Sequence, residues 1–153
     1  FYTHQVIRVD LQGQVEKVAE VAHQPSGLGW LPDGRLLIVS MRDRKLLRQE
    51  ADGRLVVHAD LATVAGGHAN DMVVDAHGRA YVGNFGFDLM GGGTPHTATM
   101  ARVDPDGSVH AVADGLYFPN AALITPDGKT LIVAETMGNR LSAFDIHADG
   151  ALG

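Results

Sequence analysis

Three small oxygen-bearing side chains recur at one spacing: Ser26, Asn70 and Asn120 each stand eight residues before a glycine, Gly34, Gly78 and Gly128 in turn. Hydroxyl and amide oxygens are hard donors. They suit Ca, Mg or Mn, and Zn where carboxylates join them. A second set, Ser40, Asn84 and Glu135, ends apolar runs in the same three stretches, and Asp71 adjoins Asn70. Two Asn with no carboxylate at the equivalent positions make an incomplete cation site. The alternative is that Asn70 and Asn120 only tie off backbone at strand starts, as Asn does in turns.

The elements that must position these residues follow from the glycines. Asp-Gly pairs at 33–34, 52–53, 106–107, 127–128 and 149–150, with Gln12-Gly13 and His77-Gly78, separate short apolar runs. Such pairs mark tight hairpins, because these turns need the positive φ that glycine adopts without strain. The glycines fall into two interleaved phases. Gly34, Gly78 and Gly128 are 44 and 50 residues apart; Gly13, Gly53, Gly107 and Gly150 are 40, 54 and 43 apart. Each repeat therefore holds two hairpins and four strands, at the ~40–50-residue period of a propeller blade.

First strands are expected over Gly27–Leu31, Asp71–Asp75 and Ala121–Thr125, and second strands over Leu36–Val39, Ala80–Val82 and Leu131–Ala134. Their near-continuous apolar runs suit strands buried on both faces. Val109–Asp114 alternates like a half-exposed outer strand. No window keeps a helical period, so essentially no helix is expected. A β-sandwich also has short strands and many turns, but it does not predict two glycine phases sharing one long period. The fold reading is all-β: residues 1–153 form one partial domain of about three and a half four-stranded propeller blades. Gly13 lacks an earlier partner turn, and Ala151-Leu152-Gly153 leaves no room for a full outer strand, so the chain is expected to begin and end mid-blade. Innermost strands converge on a propeller axis, which places Ser26, Asn70 and Asn120 together at one face, with the long insertion from Phe85 to Thr99 beside them.

Composition narrows the function classes. Lys+Arg 12 against Asp+Glu 18, a net charge of −6, lacks the basic stripe a nucleic-acid partner requires. The absence of cysteine removes disulfides, thiolate zinc ligands and thiol catalysis. The longest apolar runs, such as Leu36-Leu37-Ile38-Val39, are too short to span a bilayer, so no membrane partner is expected. A cytoplasmic location is expected, although the N-terminus reads as missing and leaves the question of a leader open.

The segments His68-Ala69-Asn70-Asp71-Met72-Val73-Val74-Asp75, Phe118-Pro119-Asn120-Ala121-Ala122 and Pro25-Ser26-Gly27-Leu28-Gly29-Trp30 resemble the SMP-30/gluconolactonase/regucalcin-like family. The resemblance runs through the whole chain in order. It implies a six-bladed propeller with one divalent cation (Ca, Mg, Mn or Zn) on its axis, and hydrolysis of sugar lactones or related esters. The family's metal-ligating Asn matches Asn120. Its metal-ligating Glu is expected upstream of Phe1, and its Asp, also given the catalytic role, beyond Gly153; the catalytic residue is therefore not assigned within this chain. Its substrate-contacting Asn matches Asn70, and a basic contact two residues earlier falls on His68, where some members carry Arg. An acidic contact ten residues after the turn glycine falls on Asp88. The implied chemistry is carbonyl polarisation and water activation by the metal, with a carboxylate taking the proton.

Other candidates carry less. His23, His58, His77, His96, His110 and His147 lack the i, i+4 spacing of helical zinc motifs and read as solvated. Ser26 and Ser40 lack a G-x-S-x-G elbow, and Gly91–Gly93 is followed by no helix or Lys. Trp30 reads as core filling. The rival to a metal-dependent lactonase is a non-catalytic propeller whose loops face a protein partner; a related phosphotriesterase on the same site is a third reading drawn from the resemblance. A partial ring with open edges is expected to self-associate.

Overall fold

The computed structural model describes residues 1–153, and it is built of thirteen strands and one short 3-10 turn, Leu61–Thr63. Strands β1 (Gln5–Val9) and β2 (Val15–Glu20) form a two-stranded sheet. Strands β3 (Pro25–Trp30), β4 (Leu36–Ser40), β5 (Lys45–Gln49) and β6 (Leu55–Asp60) form a four-stranded sheet in sequence order. A second four-stranded sheet holds β7 (Ala69–Val74), β8 (Ala80–Asn84), β9 (Ala98–Val103) and β10 (Val109–Leu116). The last sheet holds β11 (Pro119–Ile124), β12 (Thr130–Glu135) and β13 (Arg140–Asp145), extended by a single bridge between Ile146 and Leu152. Every pairing is antiparallel and between neighbours in sequence, the up-and-down meander of propeller blades. No helix is long and apolar enough to cross a membrane.

The second strands explain how the sheets stack. All five residues of β4 are buried. Leu37 and Val39 join the core between the second and third sheets, with Leu46, Met72, Val82 and Val103. Leu36 and Ile38 join a separate core with Val6 and Ala19 of the first sheet and with Val21, which follows it. The two-residue side-chain period thus supplies both interfaces from one apolar run. Strand β8 repeats the device: Ala80 and Val82 face the second sheet, while Tyr81 packs with Met100, Leu116, Leu131 and Val133 toward the fourth. Each such Leu, Ile, Val or Met side chain, fully buried, contributes roughly 1.5–3 kcal/mol.

All seven predicted turn glycines adopt positive φ, between 73° and 89°. An aspartate closes each turn. Asp33 Oδ1 accepts the Arg35 N–H at 3.0 Å, and Asp52, Asp106, Asp127 and Asp149 accept equivalently from the residue two ahead. At the two turns without Asp-Gly, an aspartate three residues before the glycine does the work: Asp10 accepts from Gln12 and Gln14, and Asp75 from His77 and Arg79.

The inner strands β3, β7 and β11 pack side by side, β3 on β7 and β7 on β11. Close approach requires glycine on the β3 side: a Cβ on Gly27 would lie 2.7 Å from the Met72 nitrogen, and one on Gly29 2.5 Å from Val74 Cγ2. The opposite face of β3 carries Leu28 and Trp30, and here the expectation of a core tryptophan fails. Trp30 is 61% exposed and lines an open groove with Val6, Ile7 and Val18.

The last turn is riveted to the third sheet. Arg79 Nη1 donates to Ala148 O at 3.0 Å, Arg102 Nη1 to Asp149 O at 2.9 Å, and the Tyr81 hydroxyl to Gly150 O at 3.1 Å.

Candidate functional site

The three inner strands begin two residues earlier than their apolar runs suggest, and each is irregular at the same place. Register shifts between Pro25 and Leu28 in β3, Ala69 and Met72 in β7, and Pro119 and Ala122 in β11. Ser26, Asn70 and Asn120 are the second residues of these strands, inside the three irregular steps. A bulge re-aims side chains away from the ordinary alternation and is common beside functional sites. Here it turns three equivalent residues toward one another. Ser26 Oγ donates to Asn70 Oδ1 at 3.3 Å, and Asn70 Nδ2 donates to Asn120 Oδ1 at 2.9 Å, with a longer contact to Pro119 O at 3.5 Å. Asn70 is 6% exposed and sits at the centre; Asn120 is exposed, and its carbonyl oxygen has capacity beyond the bond from Asn70.

The second tier is different in kind. Ser40 Oγ donates to Asp43 at 2.5 Å. The Asn84 amide donates to Thr99 O at 2.7 Å and accepts from the Gly86 N–H at 2.9 Å, fixing the start of the long insertion. Glu135 is 1% exposed and fully engaged: Arg140 donates through Nε at 2.7 Å and Nη2 at 3.1 Å, the Tyr117 N–H donates at 2.7 Å, and Ser142 Oγ donates as well. Burial pushes this carboxyl up, but the bonds from Arg140, Ser142 and the Tyr117 N–H outweigh it and hold the pKa at about 2. Glu135 locks its own sheet and is not a free oxygen ligand. Asp71 is half-buried; burial raises its pKa, against the opposing hydrogen bond from the Met72 N–H at 2.9 Å.

His68 and Asp88 lie apart from the asparagine pair. They share a polar recess of about 240 Å³ with Arg42, Arg44, Gly66 and Gly67. Asp88 is exposed, with Oδ1 accepting the Gly91 N–H at 2.9 Å. The His68 ring packs at 5.8 Å from that of Phe85, which in turn stacks on Phe118 at 4.5 Å and 22°. This aromatic ledge carries no periodic signal in the sequence; only the adjacency of Phe118 to Pro119-Asn120 hints at it. Phe118 also adopts a left-handed φ of 56°. The larger groove, about 440 Å³ around Trp30, contains none of the axial residues. Of the histidines read as solvated, His58 departs: it is half-buried against Arg48, and burial lowers its pKa.

The residues fit a divalent cation only in part. Asn120 offers one hard neutral oxygen, and no group of three His, Cys, Asp or Glu converges anywhere in the chain. These residues alone do not complete a metal centre.

The chain matches the model of the SMP-30/Gluconolactonase/LRE-like region over residues 1–153. Among solved structures it resembles a gluconolactonase from Xanthomonas campestris at 23% identity, covering 97% of this chain and 53% of that one, with a TM-score of 0.76. It resembles a calcium-binding protein, regucalcin, from Agrobacterium tumefaciens at 22% identity, covering 84% and 43%, with a TM-score of 0.61. Virginiamycin B lyase from Staphylococcus aureus shares the architecture at 14% identity, covering 98% and 47%, with a TM-score of 0.72. The chain spans about half the length of the structures it matches. At these identities the structures carry the fold, and a lyase among them shows that the fold does not choose the reaction. The match of the family model from first residue to last is what places the chain: it belongs to the SMP-30/gluconolactonase/LRE-like family.

Proposed function

We propose that this chain forms part of a divalent-metal-dependent hydrolase of sugar lactones or related esters. The observation that carries the reading is the bulged trio: three equivalent strand starts bent into one hydrogen-bonded line, Ser26 to Asn70 to Asn120. In this reading Asn70, held from both sides, fixes the orientation of the Asn120 amide so that its oxygen serves as one cation ligand. Carboxylate ligands from outside these residues complete the shell. When bound, the cation supplies polarisation of the ester carbonyl and acidification of a water. His68 and Asp88 receive substrate hydroxyls, and the stacked Phe85–Phe118 rings shield one side from bulk water.

The test is hydrolysis of glucono-1,5-lactone by a full-length protein carrying these residues, before and after chelation, with add-back of Ca²⁺, Mg²⁺, Mn²⁺ and Zn²⁺. Loss on chelation, restoration by one ion, and weakened restoration in Asn120→Ala support the reading. Turnover indifferent to chelator refutes the metal's role. No turnover of any lactone or ester favours a binding module.

A further inference from the structure

The chain has nine arginines, and seven of them close ion pairs with carboxylates. The two left over, Arg42 and Arg44, line the same recess. Asp43, the carboxylate between them, is taken by Ser40 Oγ at 2.5 Å and by Lys45 Nζ at 3.8 Å. The recess has no hydrophobic lining residue, and its third nitrogen-bearing side chain, His68, buries Nδ1 with no hydrogen-bond partner. Two arginines without a carboxylate partner thus line one concavity of a chain whose net charge is −6.

The recess is built, not incidental. Arg44 is held at both ends: its Nη1 donates to Ala65 O at 3.1 Å, and its carbonyl accepts the Leu61 N–H at 2.8 Å. Its left-handed φ of 53° turns the chain there. Gly66 and Gly67 let the segment bearing Asp88 close against them, because a Cβ on Gly66 would lie 2.6 Å from Gly86 O and one on Gly67 2.8 Å from the Phe87 nitrogen. The Met41 carbonyl accepts the Ala69 N–H at 3.0 Å, so the loop bearing both arginines is pinned next to Asn70.

We infer that this recess is an anion subsite for the carboxylate end of an acidic, aldaric-type sugar lactone. The inference rests on the lactonase reading and names its substrate class. At about 240 Å³ the recess is smaller than a whole-ligand pocket, ~300–1,000 Å³, and suits one end of a substrate. Guanidiniums match a planar carboxylate. Asp88 keeps one oxygen free of its Gly91 bond to accept the hydroxyl next to that carboxylate. The same aspartate disfavours a phosphate dianion, which concentrates two negative charges on one group beside the Asp88 carboxylate.

The test is calorimetric titration of the protein with glucarate, with uncharged glucitol and with inorganic phosphate, alongside relative turnover of glucaro-1,4-lactone and glucono-1,4-lactone. Glucarate is expected to bind more tightly than glucitol or phosphate, and more weakly as salt rises. Arg42→Gln and Arg44→Gln should each lower glucarate affinity about tenfold or more, the loss of a charge-assisted bond. Each should shift the acidic-to-neutral turnover ratio by a similar factor. Arg42 is exposed and makes no side-chain bond, so its variant keeps the test decisive if Arg44→Gln fails to fold. Equal binding of glucarate and glucitol, tighter binding of phosphate, or unchanged affinity in Arg42→Gln overturns the inference. Turnover of the neutral lactone without glucarate binding sinks the subsite and spares the lactonase reading. Glucarate binding without turnover of either lactone does the reverse.

Discussion

Replacing Glu135 by Gln keeps the side chain's shape and removes its charge from a position only 1% exposed. The folded carboxyl titrates at about 2 against an ordinary 4.5. At about 1.4 kcal/mol per pH unit that gap is worth about 3 kcal/mol. Because the folded value is the lower one, the stabilisation is fully present above pH 4.5 and is lost as pH falls toward 2. The Arg140 side chain is 54% exposed, so water screens its share and about 3 kcal/mol is an upper bound. Urea denaturation followed by circular dichroism, for wild type and Glu135→Gln, measures this directly. The gap between the proteins should be largest at pH 7, roughly half gone by pH 3 and nearly closed at pH 2. A gap of constant size across that range would refute the electrostatic account and leave only lost packing or hydrogen-bond geometry.

Asn70→Ala removes the centre of the axial line and strands the Ser26 hydroxyl; a loss of about 1–3 kcal/mol is expected by the same denaturation assay, while Asn70→Asp should be worse at pH 7 than at pH 3 because a carboxylate cannot donate to Asn120 Oδ1. Acid should also weaken the turns. Asp33, held low first by its bond from Arg35, and Asp127, held low first by its bond from Thr125, lose these bonds on protonation, so wild-type stability should fall as pH drops below 3.8, and Asp127→Asn should flatten that fall. Gly67→Ala forces the segment bearing Asp88 outward, with a cost of about 1–3 kcal/mol and weakened glucarate binding, read by melting and titration. For residues 1–153 taken alone, the exposed Trp30 groove is expected to favour self-association; Trp30→Gln should lower their sedimentation coefficient at high concentration, and an unchanged monomer in both forms would dismiss the groove as a contact.

The blades were legible because hairpin turns are local. A turn glycine four residues past one strand end and two before the next takes positive φ whatever lies elsewhere, so Gly34, Gly78 and Gly128 reveal both period and phase. The equal offset of Ser26, Asn70 and Asn120 from them carried the placement of the site. The bulges that aim these residues were not legible, since a bulge belongs to the pairing of two strands rather than to either alone. The engagement of Glu135 was not legible either, because its donors come from Tyr117, Arg140 and Ser142, in other segments. Trp30 looked like core because burial depends on what stands opposite. The unpaired state of Arg42 and Arg44 is the hardest to read in advance: it is visible only once the other seven arginines have been assigned partners.

The rivets from Arg79, Tyr81 and Arg102 to the carbonyls of residues 148–150 set a timetable for synthesis. Arg79 and Tyr81 leave the ribosome 69 residues before their acceptors, and Arg102 leaves 47 before. At about 5–20 residues per second, the first two wait roughly 3–14 s. During that wait Arg79 has Asp75 and Arg102 has Asp104, but the Tyr81 hydroxyl has only water. The third sheet therefore cannot finish its outward face as it emerges. It stays open, with Tyr81 hydrated, until the next sheet arrives to close it.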